Sequence, residues 1–339
     1  MKKINLAIVG ATGLVGSTFL KVLEEKSNIL IDNIYLYASS KSAGKIINFC
    51  GRNYPVIELN RKHIVDKQID YALFSAGGEI SRFYAPIFKE IGAIVIDNSS
   101  YWRMDENVPL IVPQVNKSAC FAHNGIIANP NCSTIGVIAP LKVLLDHYGL
   151  KKVRFVTFQA TSGSGMRGLN DLELTKEGKN PEFYPYPIFN NCLPHIDKFL
   201  DNGYTKEEMK MVNETRKILE LPDLEISATC VRVPIENSHS IDVYAELGSD
   251  FDIDTIRNQM KSFDSIKVVD SPSQNIYPFA TMATGTDNIY VGRIRRDVSN
   301  PRAINMFCVS DNIRKGAASN AIEIMELLIS KTLWLFSYN

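Results

Sequence analysis

An apolar run, Ile4 to Val9, ends in Gly10-Ala-Thr-Gly13-Leu-Val-Gly16, and helical periodicity follows at once through Phe19, Leu20, Val22 and Leu23. Few openings restrict a chain so strongly. A short unbroken apolar run fits a strand covered on both faces. Glycines after it permit a tight turn and the close approach of an anion to backbone amides. The helix start adds unpaired N–H groups and a partial positive charge. Ile34 to Ala38, Tyr71 to Ser75 and Ala93 to Asp97 read as further strands, with a helix over Ser81 to Ile91 and Pro86 as a local irregularity. Strands alternating with helices and polar turns predict an α/β fold built on a doubly wound parallel sheet. A glycine triplet alone could be a plain turn between strand and helix; in this context it points to a bound nucleotide.

The end of the second strand bears on which nucleotide. Folds of this kind that bind NAD carry Asp or Glu there, for the ribose 2′-hydroxyl. This chain has Ala38-Ser39-Ser40-Lys41-Ser42 instead. Hydroxyls and a lysine accept a 2′-phosphate that a carboxylate would repel, so NADP is expected over NAD.

Beyond Gly149 the pattern changes. Val153 to Gln159, Glu225 to Val233, Ser240 to Glu246 and Ile304 to Val309 read as strands with fewer helices between them, predicting a mixed or antiparallel sheet in a second, α+β domain. A helix over 313–329 is expected to return to the first domain. The boundaries expected are 1–130, completed by 311–339, and 131–310. Lys+Arg and Asp+Glu both number 37, which gives no electrostatic reason for a nucleic-acid or membrane partner. Ile135 to Leu145 contains Lys142 and is about half the length of a membrane span. No secretory leader is read at Met1, so a soluble, cytoplasmic protein is expected.

None of the six cysteines forms a C-x-x-C pair or stands at zinc-ligand spacing from a histidine, so free thiols and no metal are expected. Cys132 differs from the other five. It lies in Asn129-Pro-Asn-Cys-Ser-Thr134, at the start of a helix over 134–148, where amides and helix dipole favour a thiolate. A lone cysteine is more often a small buried hydrophobe, and the others are read so. Of five histidines, His239 stands at the head of a strand in Arg232-Val-Pro-Ile-Glu-Asn-Ser-His239, suited to acid–base work near neutrality. Arg232 offers a planar fork for a carboxylate. Read alone, it could equally be a surface strand arginine.

With these pieces assembled, the sequence closely resembles the aspartate-β-semialdehyde dehydrogenase family. The matching segments include Gly10–Gly16, Ser75-Ala-Gly77, Asp97-Asn-Ser-Ser-Tyr-Trp-Arg103, Asn129–Thr134 and Gln159-Ala-Thr-Ser-Gly-Ser-Gly-Met166. They continue through Leu193-Pro-His-Ile-Asp197, Glu207-Glu-Met-Lys210, Glu214-Thr-Arg-Lys-Ile-Leu219, Ala228–Pro234, Gly292-Arg-Ile-Arg295, Ser310-Asp-Asn312 and Lys315–Ala318, in family order. The resemblance implies a Rossmann-like first domain and a second, glyceraldehyde-phosphate-dehydrogenase-like domain for catalysis and dimerisation. It implies a homodimer that reduces L-aspartyl 4-phosphate to aspartate semialdehyde with NADPH, toward lysine (through diaminopimelate), threonine, methionine and isoleucine. Cys132 would form an acyl thioester, His239 would be its acid–base partner and Gln159 would orient the substrate. Arg232 would anchor the α-carboxylate and Glu207 face the α-ammonium. Arg103, Lys210 and Asn131 would hold phosphate. The cofactor would meet Gly10, Thr12, Gly13, Leu14, Val15, Ser39, Ser40, Lys41, Ser42, Ser75, Gly77, Ser162, Gly163 and Asn320.

The stretch from Met166 to Leu193 is shorter than in relatives that share the cysteine motif, and Ser319 and Glu323 replace an aromatic residue and a glutamine. The nearest rival is N-acetyl-glutamyl-phosphate reductase, which typically shows Asn-Pro-Gly-Cys-Tyr, against Asn129-Pro-Asn-Cys-Ser here. Glyceraldehyde-phosphate dehydrogenase would show Ser-Cys-Thr-Thr-Asn, which is missing. A cysteine hydrolase would need no glycine turn, and a non-catalytic nucleotide sensor would need none of Cys132, Gln159, Arg232 or His239.

Overall fold

The computed structural model describes residues 3–336. The chain divides into two compact units, 1–130 with 317–339, and 131–316. In the first, strand β1 (Ile4–Val9) is almost wholly buried and leads through the glycine turn into helix α1 (Leu14–Glu25). Then follow β2 (Ile31–Ala38), β3 (Ile46–Phe49), β4 (Arg52–Glu58), α2 (Arg61–Val65), β5 (Tyr71–Phe74), α3 (Gly78–Glu90), β6 (Ile94–Asp97), α4 (Pro113–Asn116) and β7 (Ile126–Ala128). The sheet order is β3-β4-β2-β1-β5-β6-β7, parallel throughout except for the β3–β4 pair. β2 and β5 flank β1 on opposite sides. The chain therefore reverses direction across the sheet beside the carboxyl end of β1, where doubly wound folds bind their ligands. The β3–β4 hairpin is an addition to the strands expected from sequence.

In the second unit, α5 (Cys132–Tyr148) is followed by β8 (Leu150–Gln159), α6 (Met166–Lys176), α7 (Lys206–Leu219), β9 (Glu225–Arg232), β10 (His239–Leu247), α8 (Ile253–Ser262), β11 (Ile266–Val268), α9 (Ala280–Ala283), β12 (Ile289–Arg296) and β13 (Ala303–Ser310). The six strands form a mixed sheet, β11-β12-β13-β10-β8-β9. β10 runs antiparallel to both of its neighbours, whereas β9 lies parallel to β8. α5 is buried nearly all round, packed on β10, β13, β8, α7 and α8, which accounts for its continuous apolar sequence.

The chain returns to the first unit at Ala317, later than the 311 expected, and the last helix, α10, spans Asn320–Phe336. Residues 311–316 stay with the second unit because polar groups tie them there. Asn312 bonds to Ser162 and Ser238, Asp311 accepts from Asn237 and Gly285, and Arg314 pairs with Asp287. A wide helical turn over Arg314–Ser319, with the i→i+5 bonding of a π-helix, precedes α10 in place of the regular helix expected there. Such turns concentrate at functional sites. Among the described residues, no helix is long and apolar enough to cross a membrane.

Candidate active site

Cys132 is the first residue of α5 and is half-buried. The helix cap is Asn131, whose Oδ1 accepts from the Ser133 amide at 2.9 Å. Gly316 lies against the cysteine: a Cβ there would fall 2.9 Å from the Cys132 Cβ and 3.2 Å from its Cα. Only glycine leaves the cysteine its seat. The other thiols stand elsewhere. Burial pushes Cys120 up to about 11 and raises Cys230 and Cys308 further, while Cys50 and Cys192 are exposed. Among the described residues, no group of His, Cys, Asp and Glu is placed to hold a metal ion.

The sequence-expected residues of the second unit converge around Asn131. Its Nδ2 donates to Glu207 Oε1 at 2.9 Å, and Gln159 Nε2 donates to the same oxygen at 3.1 Å. Lys210 reaches the other Glu207 oxygen at 3.0 Å, from one turn along α7. Burial alone would raise the Glu207 carboxyl. The Lys210 charge and the three donors outweigh it and hold the group at about 2. Lys210 is correspondingly held above its ordinary value against the effect of burial, by Glu207 and by Asp197, which it also contacts at 2.9 Å. Glu207 is thus charged and Lys210 protonated at neutral pH, in a pocket mostly shielded from water.

A second group sits beside the first, because Gln159 at the end of β8 is registered against Arg232 at the end of β9. Arg232 is buried. Its Nη1 donates to the Ala160 carbonyl, while its Nε meets no protein acceptor. A buried guanidinium donor left open in this way suits an incoming carboxylate. The Ala160 amide donates to His239 Nδ1 at 3.0 Å, and His239 Nε2 also lacks a protein partner. A backbone N–H can only donate, so Nδ1 is the acceptor and the neutral ring carries its proton on Nε2. Burial, followed by the Arg232 charge, lowers His239 to about 3, which keeps the ring neutral. Both side chains face Gly163: a Cβ there would lie 2.8 Å from Arg232 Nη1 and 3.3 Å from His239 Nε2. His239 is therefore presented as a hydrogen-bond donor, not as a ready proton acceptor.

The remaining candidates divide between the units. Ser162 lies in the second, and its hydroxyl is engaged by Asn237 and Asn312. Arg103 belongs to the first, buried, with Nε on the Asn129 carbonyl at 2.9 Å and Nη2 on that of Asn98 at 2.7 Å. Asn320 is buried there too. Its amide nitrogen donates to Ile111 O and Asn129 Oδ1, and its Oδ1 meets no protein donor.

The glycine turn fits a dinucleotide phosphate. Gly10 has φ +90°, and a Cβ there would fall 2.4 Å from the Ser75 carbonyl. α1 and α3 both begin after a glycine cap, Gly13 and Gly77, with no side chain bonded to their first amides. They start beyond the neighbouring strands β1 and β5, so two bare helix N-termini share one strand edge. Ser39, Ser40 and Lys41 are exposed at the end of β2, with Ser42 half-buried beside them and no carboxylate in the turn.

Two residues bonded to members of the group around Asn131 were not singled out from sequence. Glu214 Oε2 accepts from the Asn131 main-chain N–H at 2.6 Å; its seven-residue spacing from Glu207 on α7 was the available signal. Asp197 sits in a loop with positive φ, and no periodicity marks it.

Comparison with known proteins matches both units of the chain. Residues 5–123 match the semialdehyde dehydrogenase NAD-binding domain, and residues 141–315 the semialdehyde dehydrogenase dimerisation domain. The aspartate-semialdehyde dehydrogenase of Aquifex aeolicus is 48% identical, over 97% of this chain and 99% of its own, and that of Bacillus subtilis is 45% identical over 96% and 97%. The crystal structure of aspartate semialdehyde dehydrogenase II from Vibrio cholerae, complexed with ASA, superposes with a TM-score of 0.91 at 40% identity, covering 97% of this chain and 99% of that one. The two domain matches and the full-length relatives show that the chain belongs to the aspartate-semialdehyde dehydrogenase family.

Proposed function

We propose that this chain reduces L-aspartyl 4-phosphate to L-aspartate 4-semialdehyde with release of phosphate, through an acyl thioester on Cys132. The observation that carries the reading is the continuity of the site. The cap of the Cys132 helix is bonded to Glu207, Glu207 to Gln159, and Gln159 is paired across the sheet with Arg232. A small amino acid set against Cys132 therefore meets an anionic and a cationic anchor at once. Arg232 takes the α-carboxylate through its open Nε edge. Glu207, held charged, takes the α-ammonium; an N-acylated substrate would bring it no cation. Lys210, Arg103 and the Asn131 amide serve the phosphate.

The Cys132 thiolate attacks the acyl carbon, the C–O bond to phosphate breaks, and a thioester remains, which divides one hard step into two easier ones. NADPH, when bound at the glycine turn, supplies the hydride that a thioester accepts. Gln159 orients the carbonyl. His239 donates a hydrogen bond from its Nε2–H to the oxygen as negative charge builds there and keeps that proton, and the oxyanion collapses to the aldehyde carbonyl as the C–S bond breaks and Cys132 leaves as thiolate. The tautomer favours this donor role over removal of the thiol proton, so the thiolate rests chiefly on its helix N-terminus.

The cofactor is NADP, held by Gly10, Thr12, Gly13, Leu14 and Val15, by Ser75 and Gly77, by Ser162, Gly163 and Asn320, and at its 2′-phosphate by Ser39, Ser40, Lys41 and Ser42. Lys41→Glu is expected to weaken NADP about tenfold or more while leaving NAD within about threefold, since the new carboxylate repels only the 2′-phosphate. Fluorescence titration with both nucleotides checks this, and equal losses would remove the 2′-phosphate assignment. The enzyme works as a cytoplasmic homodimer through its second domain. It feeds the synthesis of lysine by way of diaminopimelate, and of threonine, methionine and isoleucine. The direct test is reduction of NADP by aspartate semialdehyde, which must depend on phosphate; reduction without phosphate, or only with N-acetylglutamate semialdehyde, would overturn the reading.

A further inference from the structure

We infer that Glu214 is a positioning residue for the reacting thiol, gripping the main chain of Asn131 from α7 so that the turn presenting Cys132 has one conformation. The inference rests on the assignment of Cys132 above.

The cap of a helix has its own N–H to satisfy, and a Glu or Gln three residues on usually takes it, forming a capping box. α7 is built that way: Glu208 Oε2 accepts from Thr205 N at 2.6 Å, and the Glu208 amide donates back to Thr205 Oγ1. In α5 the equivalent position is Thr134, whose hydroxyl is turned to Met211 Sδ. The missing acceptor comes instead from a different helix. Glu214 Oε2 meets the Asn131 N–H at 2.6 Å, and the residue is 1% exposed.

Three bonds therefore fix Asn131. Glu214 holds its main chain, Glu207 holds its side-chain amide, and its Oδ1 caps Ser133. The carboxylate that meets the ammonium of the substrate and the carboxylate that sets the nucleophile's turn stand two helical turns apart on one face of α7. Burying a carboxylate is costly unless it is hydrogen-bonded or paired, and here one of its bonds ends one residue from the sulfur.

The test uses the intact chain with Glu214→Gln, which keeps volume and an acceptor oxygen, and Glu214→Ala, which keeps neither. Displacement of a reacting group by about 1 Å costs on the order of 100-fold, so the alanine variant should lose about that in kcat while KM for the semialdehyde stays within about threefold. Alkylation of Cys132 by iodoacetamide should slow in parallel. The glutamine variant should stay within about tenfold of the parent in both measurements. A purely structural role would lower Tm and the folded fraction but leave kcat per titratable Cys132 unchanged, and that result would overturn the inference. So would equal losses in both variants, which would assign the effect to charge. Failure of both to fold would assign Glu214 to the fold alone and overturn it as well. A Cys132→Ala variant that still turns over would instead defeat the underlying assignment of the thiol, a result distinct from any of these.

Discussion

Alanine at position 132 is expected to lower turnover by about 10⁴-fold or more, the scale on which removal of a covalent nucleophile acts, with NADP binding unchanged. No other thiol can take over. Cys120, Cys230 and Cys308 are buried with their thiols pushed up, and Cys50 and Cys192 lie off any helix start. Burial and helix position thus select a single sulfur out of six. Two measurements check the point together: steady-state phosphate-dependent reduction of NADP, and intact mass after rapid quenching of a reaction with the semialdehyde and NADP in the absence of phosphate. The parent chain should show an acyl adduct that the variant lacks. Residual turnover within about tenfold of the parent would remove the nucleophile assignment.

Arg232→Lys should lower kcat/KM about 30- to 100-fold, mostly through KM, because charge-assisted hydrogen bonds contribute about 1.5–3 kcal/mol and a lysine cannot reproduce the planar fork. Nη1 is already committed to the Ala160 carbonyl, so the open Nε edge is what the lysine loses. The same arginine has a second, separable effect. After burial, its charge is the next cause that lowers His239 to about 3. Lysine keeps that charge; methionine does not. In Arg232→Met the histidine should rise from about 3 toward its ordinary value, since its cationic form is no longer repelled. The acid limb of the kcat–pH profile then moves to higher pH in the methionine variant, while the lysine variant keeps the parent profile. An unchanged KM in the lysine variant would defeat the anchor, and identical pH profiles in all three would defeat the electrostatic link.

What could be read in the sequence was local. The Gly10–Gly16 turn, the Cys132 helix start and the apolar runs of β1, β5 and β6 each concentrate their signal within a few residues. The β3–β4 hairpin escaped notice because its strands are mostly exposed, carry no continuous apolar run and include Pro55. β12 was lost to the irregularity at Gly292–Arg295, which breaks its two-residue alternation. The boundary after β13 was missed because polar bonds from Asp311, Asn312 and Arg314 hold 311–316 to the second unit, and such bonds leave no periodicity. The tautomer of His239 depends on a backbone amide 79 positions away in the chain, so no reading of sequence spacing could reach it.

α7 serves as a ruler. Lys210 and Glu214 lie three and seven positions beyond Glu207, about 60° and about 20° out of alignment with it at 100° per residue. Adding or removing one residue between Glu207 and Glu214 would rotate Glu214 by 100° relative to Glu207, disengaging one from the other whatever the chemistry of the inserted side chain. Changes of chain length should therefore be excluded from this helix, and be accommodated in the irregular stretch between Glu177 and Thr205, where no such angular relation has to survive.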